Sequence, residues 1–372
     1  YSTRSWGELR RMNLPPPEIV WGGFALGAVG LIFGPGGIGK SIASLNIAFH
    51  QVLGLPFAGM PTAARPLRHL IMGSENSMHR LKDDSDRMSA GLPESKLELL
   101  DEHIVLSSLE DPEDVFISLS SEENIRKWAA TLERFKPDVL WVDPWGDVLD
   151  GDGNSDEDVR ATLCRLRRLL LHANPQAALI VLAHSRYGAK NYAQAAGYDA
   201  GNFGKGSKAL FSAARCVWNL APGDETEKPA VVWVHAKCND QQRHKPFAMR
   251  LHAETRLLMP VTEFDLGAWQ ADVTLRANGK SPAQSKVRIS EDDAYAALGD
   301  DTGTKTEVEM RLRDSLGATR NEAKLRIGQL LRSGRWMEWR EPKKNGYTFI
   351  GPPSAIERRK NDAKEQKQNA PG

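Results

Sequence analysis

Residues 34–41 read Gly34-Pro35-Gly36-Gly37-Ile38-Gly39-Lys40-Ser41, a full match to the pattern G-x-x-x-x-G-K-[ST]. Ahead of it Gly27–Phe33 (GAVGLIF) is an apolar run that predicts a buried strand. Behind it Ser41–Leu53 carries apolar residues at helical spacing. A strand, a glycine-rich turn and a helix start, in that order, aim backbone N–H groups from the positive end of a helix dipole. That cradle suits a polyphosphate. Lys40 would reach the β- and γ-phosphates and the Ser41 hydroxyl would ligate Mg²⁺. The motif therefore constrains the fold around it and implies a site for a nucleoside triphosphate such as ATP.

At 372 residues the chain is too long for one ordinary domain and predicts two. Its formal charge of +1 supplies no global basic field, so any nucleic acid must be held by local patches. The three cysteines, Cys164, Cys216 and Cys238, stand far apart without a C-x-x-C pair. That spacing argues against a zinc site or a disulfide framework and fits a reducing, cytoplasmic setting. No apolar stretch is long enough for a bilayer and no signal peptide is expected, so no membrane partner is predicted. The sequence opens at Tyr1 rather than Met, which leaves a preceding domain an open matter.

Apolar runs at Gly27–Phe33, His69–Gly73, Val139–Val142, Ala178–Ala183 and Cys216–Leu220 alternate with helical stretches. This alternation predicts an α/β domain over residues 1–265 with a largely parallel central sheet. Ala230–His235, Phe247–Leu251 and Thr255–Met259 follow with room only for turns, so they predict antiparallel strands extending the sheet. Residues 266–289, polar from Asp272 onward, read as a linker. Residues 290–351 read as three helices and a hairpin, with capping-box spacing at Thr304/Glu307 and Thr319/Glu322. Trp336–Arg340 is expected to pair with Tyr347–Ile350, giving a small α+β domain that resembles a winged helix-turn-helix. The charged tail, residues 352–372, is expected to be disordered.

Carboxylates narrow the chemistry. Asp143 ends the apolar run Val139–Val142, where a P-loop protein places the acid that holds Mg²⁺ through water. Its other reading is a turn-forming Asp before Pro144. Glu75, after the strand His69–Gly73, is either the base that deprotonates an attacking water or a Glu favoured by a helix dipole. His184 ends another strand at the same sheet edge and reads as a phosphate sensor or as a structural histidine. Residues 185–208 carry Arg186, Lys190, Lys205 and Lys208 among Tyr187, Tyr192, Tyr198 and Phe203. They read as a strand-tracking loop that stacks on bases, or as a solvated lid. Arg215 and Lys237 could each reach a nucleotide held by a neighbouring copy. Asp150–Asp156 looks like a calcium loop but has Ser155 at the sixth position and Ala161 at the twelfth, so an acidic turn capping a helix is expected instead.

The order of these motifs resembles the RepA-type hexameric helicases of plasmids and phages, in the RecA/DnaB-like ATPase superfamily. The resemblance runs over about residues 15–260. It rests on Gly34–Ser41, Ser74-Glu75-Asn76, Leu140–Asp143, Ala183-His184-Ser185, Gly204-Lys-Gly-Ser207, Ser212-Ala-Ala-Arg215 and Ala236-Lys-Cys-Asn239. It implies a RecA-like core in which Glu75 is the base, Asp143 the metal-side acid and His184 the γ-phosphate sensor. Arg215 is then the finger given to the next subunit, with Lys237 a nearby basic contact. It also implies ATP-driven movement along single-stranded DNA through the channel of a hexameric ring. Lys205 stands where the family often has Arg, and Asn76 where it often has Asp.

The winged helix goes beyond the compact plasmid helicases. Arg320, Lys324 and Arg326 would lie on or near its recognition helix and Lys343 and Lys344 on its wing, for duplex DNA or a replication protein. Alternatives are a DNA-bound ATPase switch or a recombinase-like filament that does not unwind. Gly34-Pro35-Gly36 lacks the second lysine of partition-type loops, and a small-molecule kinase would need an acceptor-binding domain that is not evident.

Overall fold

The computed structural model of the chain describes residues 3–107, 117–186, 188–196, 200–206, 208–223, 230–277, 291–299, 301–316, 320–341 and 347–368. They fall into two units, Tyr1–Gly279 and Lys280–Gly372, each with its own core.

The first unit opens with α1 (Trp6–Arg11) and a hairpin of β1 (Ile19–Trp21) and β2 (Phe24–Ala25). β3 (Val29–Gly34) then runs through the phosphate loop into α2 (Lys40–Val52). There follow β4 (His69–Gly73), α3 (Met78–Ser89), α4 (Glu94–His103), β5 (Ile104–Leu106), α5 (Glu122–Phe135) and β6 (Val139–Asp143). Next come α6 (Trp145–Val148), α7 (Asp156–Ala173), β7 (Ala178–His184), α8 (Ala189–Gln194) and α9 (Lys208–Ala213). The unit ends with β8 (Cys216–Pro222), β9 (Val231–Cys238), β10 (Phe247–Leu251), β11 (Leu258–Pro260) and α10 (Leu266–Ala277).

The nine strands β3–β11 form one sheet in the order β11-β10-β9-β8-β3-β7-β6-β4-β5. β8, β3, β7, β6, β4 and β5 run parallel, and β9, β10 and β11 extend them antiparallel, as the sequence predicts. Helices cover both faces, which is why the central strands read as unbroken apolar runs rather than alternating ones. Val139, Leu140, Trp141 and Val142 are all 0% exposed. Burying large side chains of this kind stabilises by about 1.5–3 kcal/mol each, and it fixes where Asp143 emerges at the strand's end.

Several expectations are corrected. β5 and the β1–β2 hairpin are too short for periodicity to reveal. The strand expected over Thr255–Met259 shortens to Leu258–Pro260, because Arg256 takes positive φ (57°) in a turn that its N–H closes onto the His252 carbonyl. The linker of residues 266–289 begins instead as α10. There Trp269 Nε1–H donates to the Pro222 carbonyl at 2.9 Å and Val273 is buried, so this helix belongs to the first unit. Residues 278–289 lie outside the described residues.

The calcium-like segment is the expected capping turn. Ser155 caps α7 through the Asp158 N–H, and Asp158 accepts from the Asp152 N–H at 2.9 Å.

Residues 185–208 are more built than a solvated loop. Phe203 is buried, Tyr192 is half-buried against the core, and the buried Asn219 donates to the carbonyls of Ala195 and Ala200. Phe203 therefore cannot stack on a base. Tyr187 and Tyr198 lie outside the described residues.

The second unit holds α11 (Glu291–Leu298), β12 (Gly303–Thr304), α12 (Lys305–Leu316), α13 (Arg320–Arg332), β13 (Met337–Arg340), β14 (Thr348–Gly351) and α14 (Pro353–Gln368). Val308, Leu312, Ala323, Ile327 and Leu330 pack with Ala294 and Leu298 under a β12-β14-β13 sheet. The hairpin pairs Met337 with Gly351 and Arg340 with Thr348, close to expectation. The Thr304/Glu307 capping box is formed, whereas the Thr319/Glu322 box lies outside the described side chains.

The tail of residues 352–372, expected to be disordered, is helical as far as Gln368. Ala355 and Ile356 are buried, and the Arg359 guanidinium sits 3.5 Å from the Phe349 ring centroid. Those two apolar residues in an otherwise charged stretch anchor it.

Candidate nucleotide site

The site grows from the turn between β3 and α2. Gly39, the N-cap of α2, has φ 95°, a conformation that glycine adopts without strain, and no side chain caps the helix. The first N–H groups of α2 therefore point, uncapped by any side chain, toward whatever the loop encloses. Lys40 opens the helix and is 6% exposed. Its ammonium donates to the carbonyls of Gly34 and Pro35, each at 3.2 Å, and lies 3.3 Å from His184 Nδ1. Burial pushes Lys40 below the usual lysine range, opposed by the charges of Asp143 and Glu75.

Parallel registry sets the other groups. Gly34 pairs with His184, and Gly73 pairs with Asp143, so the ends of β3, β7, β6 and β4 meet at one edge. Asp143 is 2% exposed; burial raises its carboxyl above the usual range, against the hydrogen bond from Ser41. A buried carboxylate touching the hydroxyl of the P-loop serine is a donor pair in want of a cation. That fits Mg²⁺, which takes one or two protein oxygens and keeps several waters.

Glu75 lies just past β4 with about half its side chain exposed, and its Oε1 is 3.8 Å from His184 Nε2. Burial and the Lys40 charge push His184 below its usual range. An ammonium can only donate, so Nδ1 accepts from Lys40 and the ring's proton sits on Nε2, facing Glu75. The imidazole thus links the phosphate-binding lysine to the carboxylate.

The Lys205 N–H donates to the His184 carbonyl at 2.9 Å, and Ser185 bridges Gly204. Only glycine fits at 204, since a Cβ there would lie 2.4 Å from the Phe33 ring. This brings Lys205, expected on a DNA-tracking loop, back beside the phosphate edge.

Arg215 and Lys237 are elsewhere. The Arg215 N–H bonds the carbonyl of Val29, the first residue of β3, at the opposite end from the phosphate loop. The half-exposed Arg215 side chain is paired with Asp240, with Nε 3.0 Å from Oδ2. Lys237 donates to the carbonyls of Phe211 and Ser212, each at 3.1 Å, and lies over the Phe211 ring. Arg186, Lys208 and Lys324 are exposed. The side chains of Lys190 and Arg320, and residues Lys343 and Lys344 entirely, lie outside the described residues.

Three features escaped the sequence reading. Asp147, on α6, accepts from the Ser74 hydroxyl and adds a carboxylate beside Asp143. Its position four residues after Asp143 was the available signal. Asp240, the partner of Arg215, is visible only through β8–β9 pairing. So is the approach of Cys216 and Cys238, which the sequence spacing had argued against.

No curated protein matches the chain. Among solved structures, a KaiC-like protein of the hyperthermophilic archaeon Pyrococcus horikoshii OT3 is similar over 66% of this chain and 98% of that one. Identity is 12% and the TM-score 0.42, too distant to add to what the strand order shows. No helix among the described residues is long and apolar enough to cross a membrane. The AAA domain family model matches residues 3–190, which take in the phosphate loop, Glu75, Asp143 and His184. Half of the sequence and all four groups at the phosphate edge fall inside that match, and the chain belongs to the AAA domain family, with the loop and parallel sheet of a P-loop ATPase.

Proposed function

We propose that this chain is an ATP-driven DNA motor, a helicase or translocase of the RepA type that works as a hexameric ring in replicating a plasmid, phage or other mobile element. The observation that carries the reading is the separation of its charged groups. Arg215 stands level with Val29 and the phosphate loop begins at Gly34. Five strand residues at about 3.3 Å each put roughly 16 Å between them. An exposed arginine that far from its own phosphate site suits one that completes the site of another copy, with Lys237 beside it.

In each site Glu75 would take the proton from the attacking water, and Lys40 would hold the β- and γ-phosphates. His184, held between Lys40 and Glu75, would register whether the lysine is engaged by phosphate or turned back on its own loop. Ser41 and Asp143 would hold Mg²⁺, which neutralises charge on the phosphoryl oxygens.

Exposed Arg186 and Lys208, with Lys190, would track single-stranded DNA through the channel, while Lys205 stands beside the phosphate edge. The second unit, read as a winged helix, would place Arg320 and Lys324 against duplex DNA, with Lys343 and Lys344 on the wing. Trp336 is buried in that unit's core, and Trp339 stacks on Phe349, so Trp336 in particular is scaffold.

The alternative, a DNA-bound switch or recombinase-like filament, would use the same trans arginine without unwinding. The deciding experiment measures ATP turnover with and without single-stranded DNA, together with the mass of the assembled species. Strong stimulation in an assembly of roughly six subunits supports the motor. DNA-independent hydrolysis by a monomer or dimer sinks it.

A further inference from the structure

The ends of β8 and β9 away from the phosphate loop bring together groups that ATP hydrolysis does not use. Cys216 and Cys238 stand opposite each other in register. The Asn239 N–H donates to the Arg215 carbonyl at 2.9 Å, so the ladder bond flanks the cysteines rather than joining them. They are therefore a non-hydrogen-bonded antiparallel pair, the kind whose Cα atoms lie about 4.5 Å apart with side chains closest. That separation falls within the roughly 4.4–6.8 Å a disulfide spans. Both sulfurs and His235 Nε2 lie within 4.8 Å of one another.

His235 decides between metal and thiol chemistry. Its ring stacks on Trp218 at 4.3 Å, and its Nδ1 accepts the His244 N–H at 3.0 Å. Burial and the neighbouring His244 lower its pKa to about 4, so the ring is neutral. With Nδ1 accepting, the single proton sits on Nε2, 3.3 Å from Cys216 Sγ. A metal-bound histidine has the reverse arrangement, donating from its outer nitrogen. Here the imidazole offers sulfur a hydrogen and offers a metal no lone pair.

The two sulfurs differ in character. Cys238 is partly exposed and is held down to about 6 by hydrogen bonds from the Cys216 thiol and the backbone at Asp240 and Gln241. Cys216 is buried, and burial pushes its thiol up. An accessible thiolate beside a buried thiol is the arrangement of an attacking and a resolving cysteine.

We propose that Cys216 and Cys238 are a reversible redox pair, closed by a hydroperoxide into a cross-strand disulfide. The Cys238 thiolate, its proton already lost to solvent, attacks a peroxide oxygen; the O–O bond breaks, leaving Cys238 as sulfenic acid, and the departing alkoxide, or hydroxide from hydrogen peroxide, takes a proton back from solvent and leaves as alcohol or water. Cys216 then gives up its proton and attacks the Cys238 sulfur. The S–S bond forms, the S–O bond breaks, and the departing hydroxide leaves with that proton as water. Two thiols lose two electrons and two hydrogens, and the peroxide gains them. The pairing rests on strand register and stands whether or not the protein is a DNA motor.

The test treats the reduced chain with one equivalent of hydrogen peroxide in the presence of chelator, then alkylates and maps it by mass spectrometry. Cys164 should be the one alkylated cysteine, with a dithiothreitol-reversible cross-link joining the peptides of Cys216 and Cys238. Cys164→Ser should keep that link. Cys238→Ser should abolish it and leave Cys216 alkylated under denaturing conditions; if that variant does not fold, the wild-type and Cys164→Ser maps decide alone. Three free thiols after peroxide would overturn the proposal. So would Cys238 driven to sulfinic acid with Cys216 still free, or a stoichiometric zinc in the isolated protein that shields both cysteines.

Discussion

At the carboxyl end of the parallel strands Lys40 and Asp143 are almost wholly buried, each displaced from its usual protonation range by the loss of water. At the amino end Arg215 is half exposed and already neutralised by Asp240. The first set is poised for a charged ligand that replaces water, because a buried charge without a full partner is costly. The second has no such need. An exposed ion pair contributes about 0–1 kcal/mol and is readily exchanged for another partner. The contrast is between a buried site and an exposed group that, on the proposed function, would be lent to another copy.

The sharpest way to break that comparison is at Lys40. Lys40→Ala should reduce ATP turnover to background and weaken nucleotide binding, since no other described side chain within the loop carries its charge. Retained turnover would show that the loop is not the phosphate site. Next in size is Arg215→Ala, expected to lower turnover about 10³-fold by the scale of arginine fingers. Titrated into wild-type protein, it should poison activity beyond its mole fraction. Strictly additive activity in such mixtures would place Arg215 outside any neighbour's site.

Glu75→Gln comes third. It should bind ATP normally yet turn over at least ~100-fold more slowly, the lower bound for a lost general base. Normal turnover would remove Glu75 as the base and leave Asp147, linked to it through Ser74, as the carboxylate to examine.

How far the sequence could be read follows the same division. The phosphate edge was legible because parallel strands end where their apolar runs end, so Asp143, His184 and Glu75 announce themselves by position after Val142, Ala183 and Gly73. The amino edge was not. Asp240 and the two cysteines meet through the antiparallel register of β8 and β9, whose connecting residues 224–229 lie outside the described residues and which shifts at Val217/Trp218. Phe203 was misread for a related reason: an aromatic among basic residues suggests stacking, and only the tertiary structure shows it buried in the core of the first unit. Likewise Trp269 and Val273, spaced one helical turn apart in a polar stretch, were the sign that the supposed linker begins as a helix.

Two histidines carry the comparison to its smallest and most specific effect. His184, at the carboxyl end of β7, lies between two charged partners. His69, at the amino end of β4, is fully buried: its Nε2–H donates to Gln51 Oε1 at 2.9 Å and its Nδ1 accepts from Trp141 Nε1 at 3.0 Å. Both ring positions are satisfied only in the neutral form, and burial lowers the His69 pKa to about 3. In the unfolded chain the same group titrates near ~6.5. Between those values the unfolded state binds a proton that the folded state refuses, so stability rises with pH across the window and falls as pH drops from about 6.5 toward 3. The slope from this one group is about 1.4 kcal/mol per pH unit at most. Denaturant unfolding at stepped pH should show that loss in wild type and a shallower one in His69→Gln, whose amide does not titrate. His184→Gln should slow ATP turnover and flatten the acid slope less than His69→Gln does, because the His184 ring is only partly buried and is depressed less. If His184→Gln flattened the slope while His69→Gln did not, the structural and chemical histidines would have to exchange roles, and the division between the two ends of the sheet would fail with them.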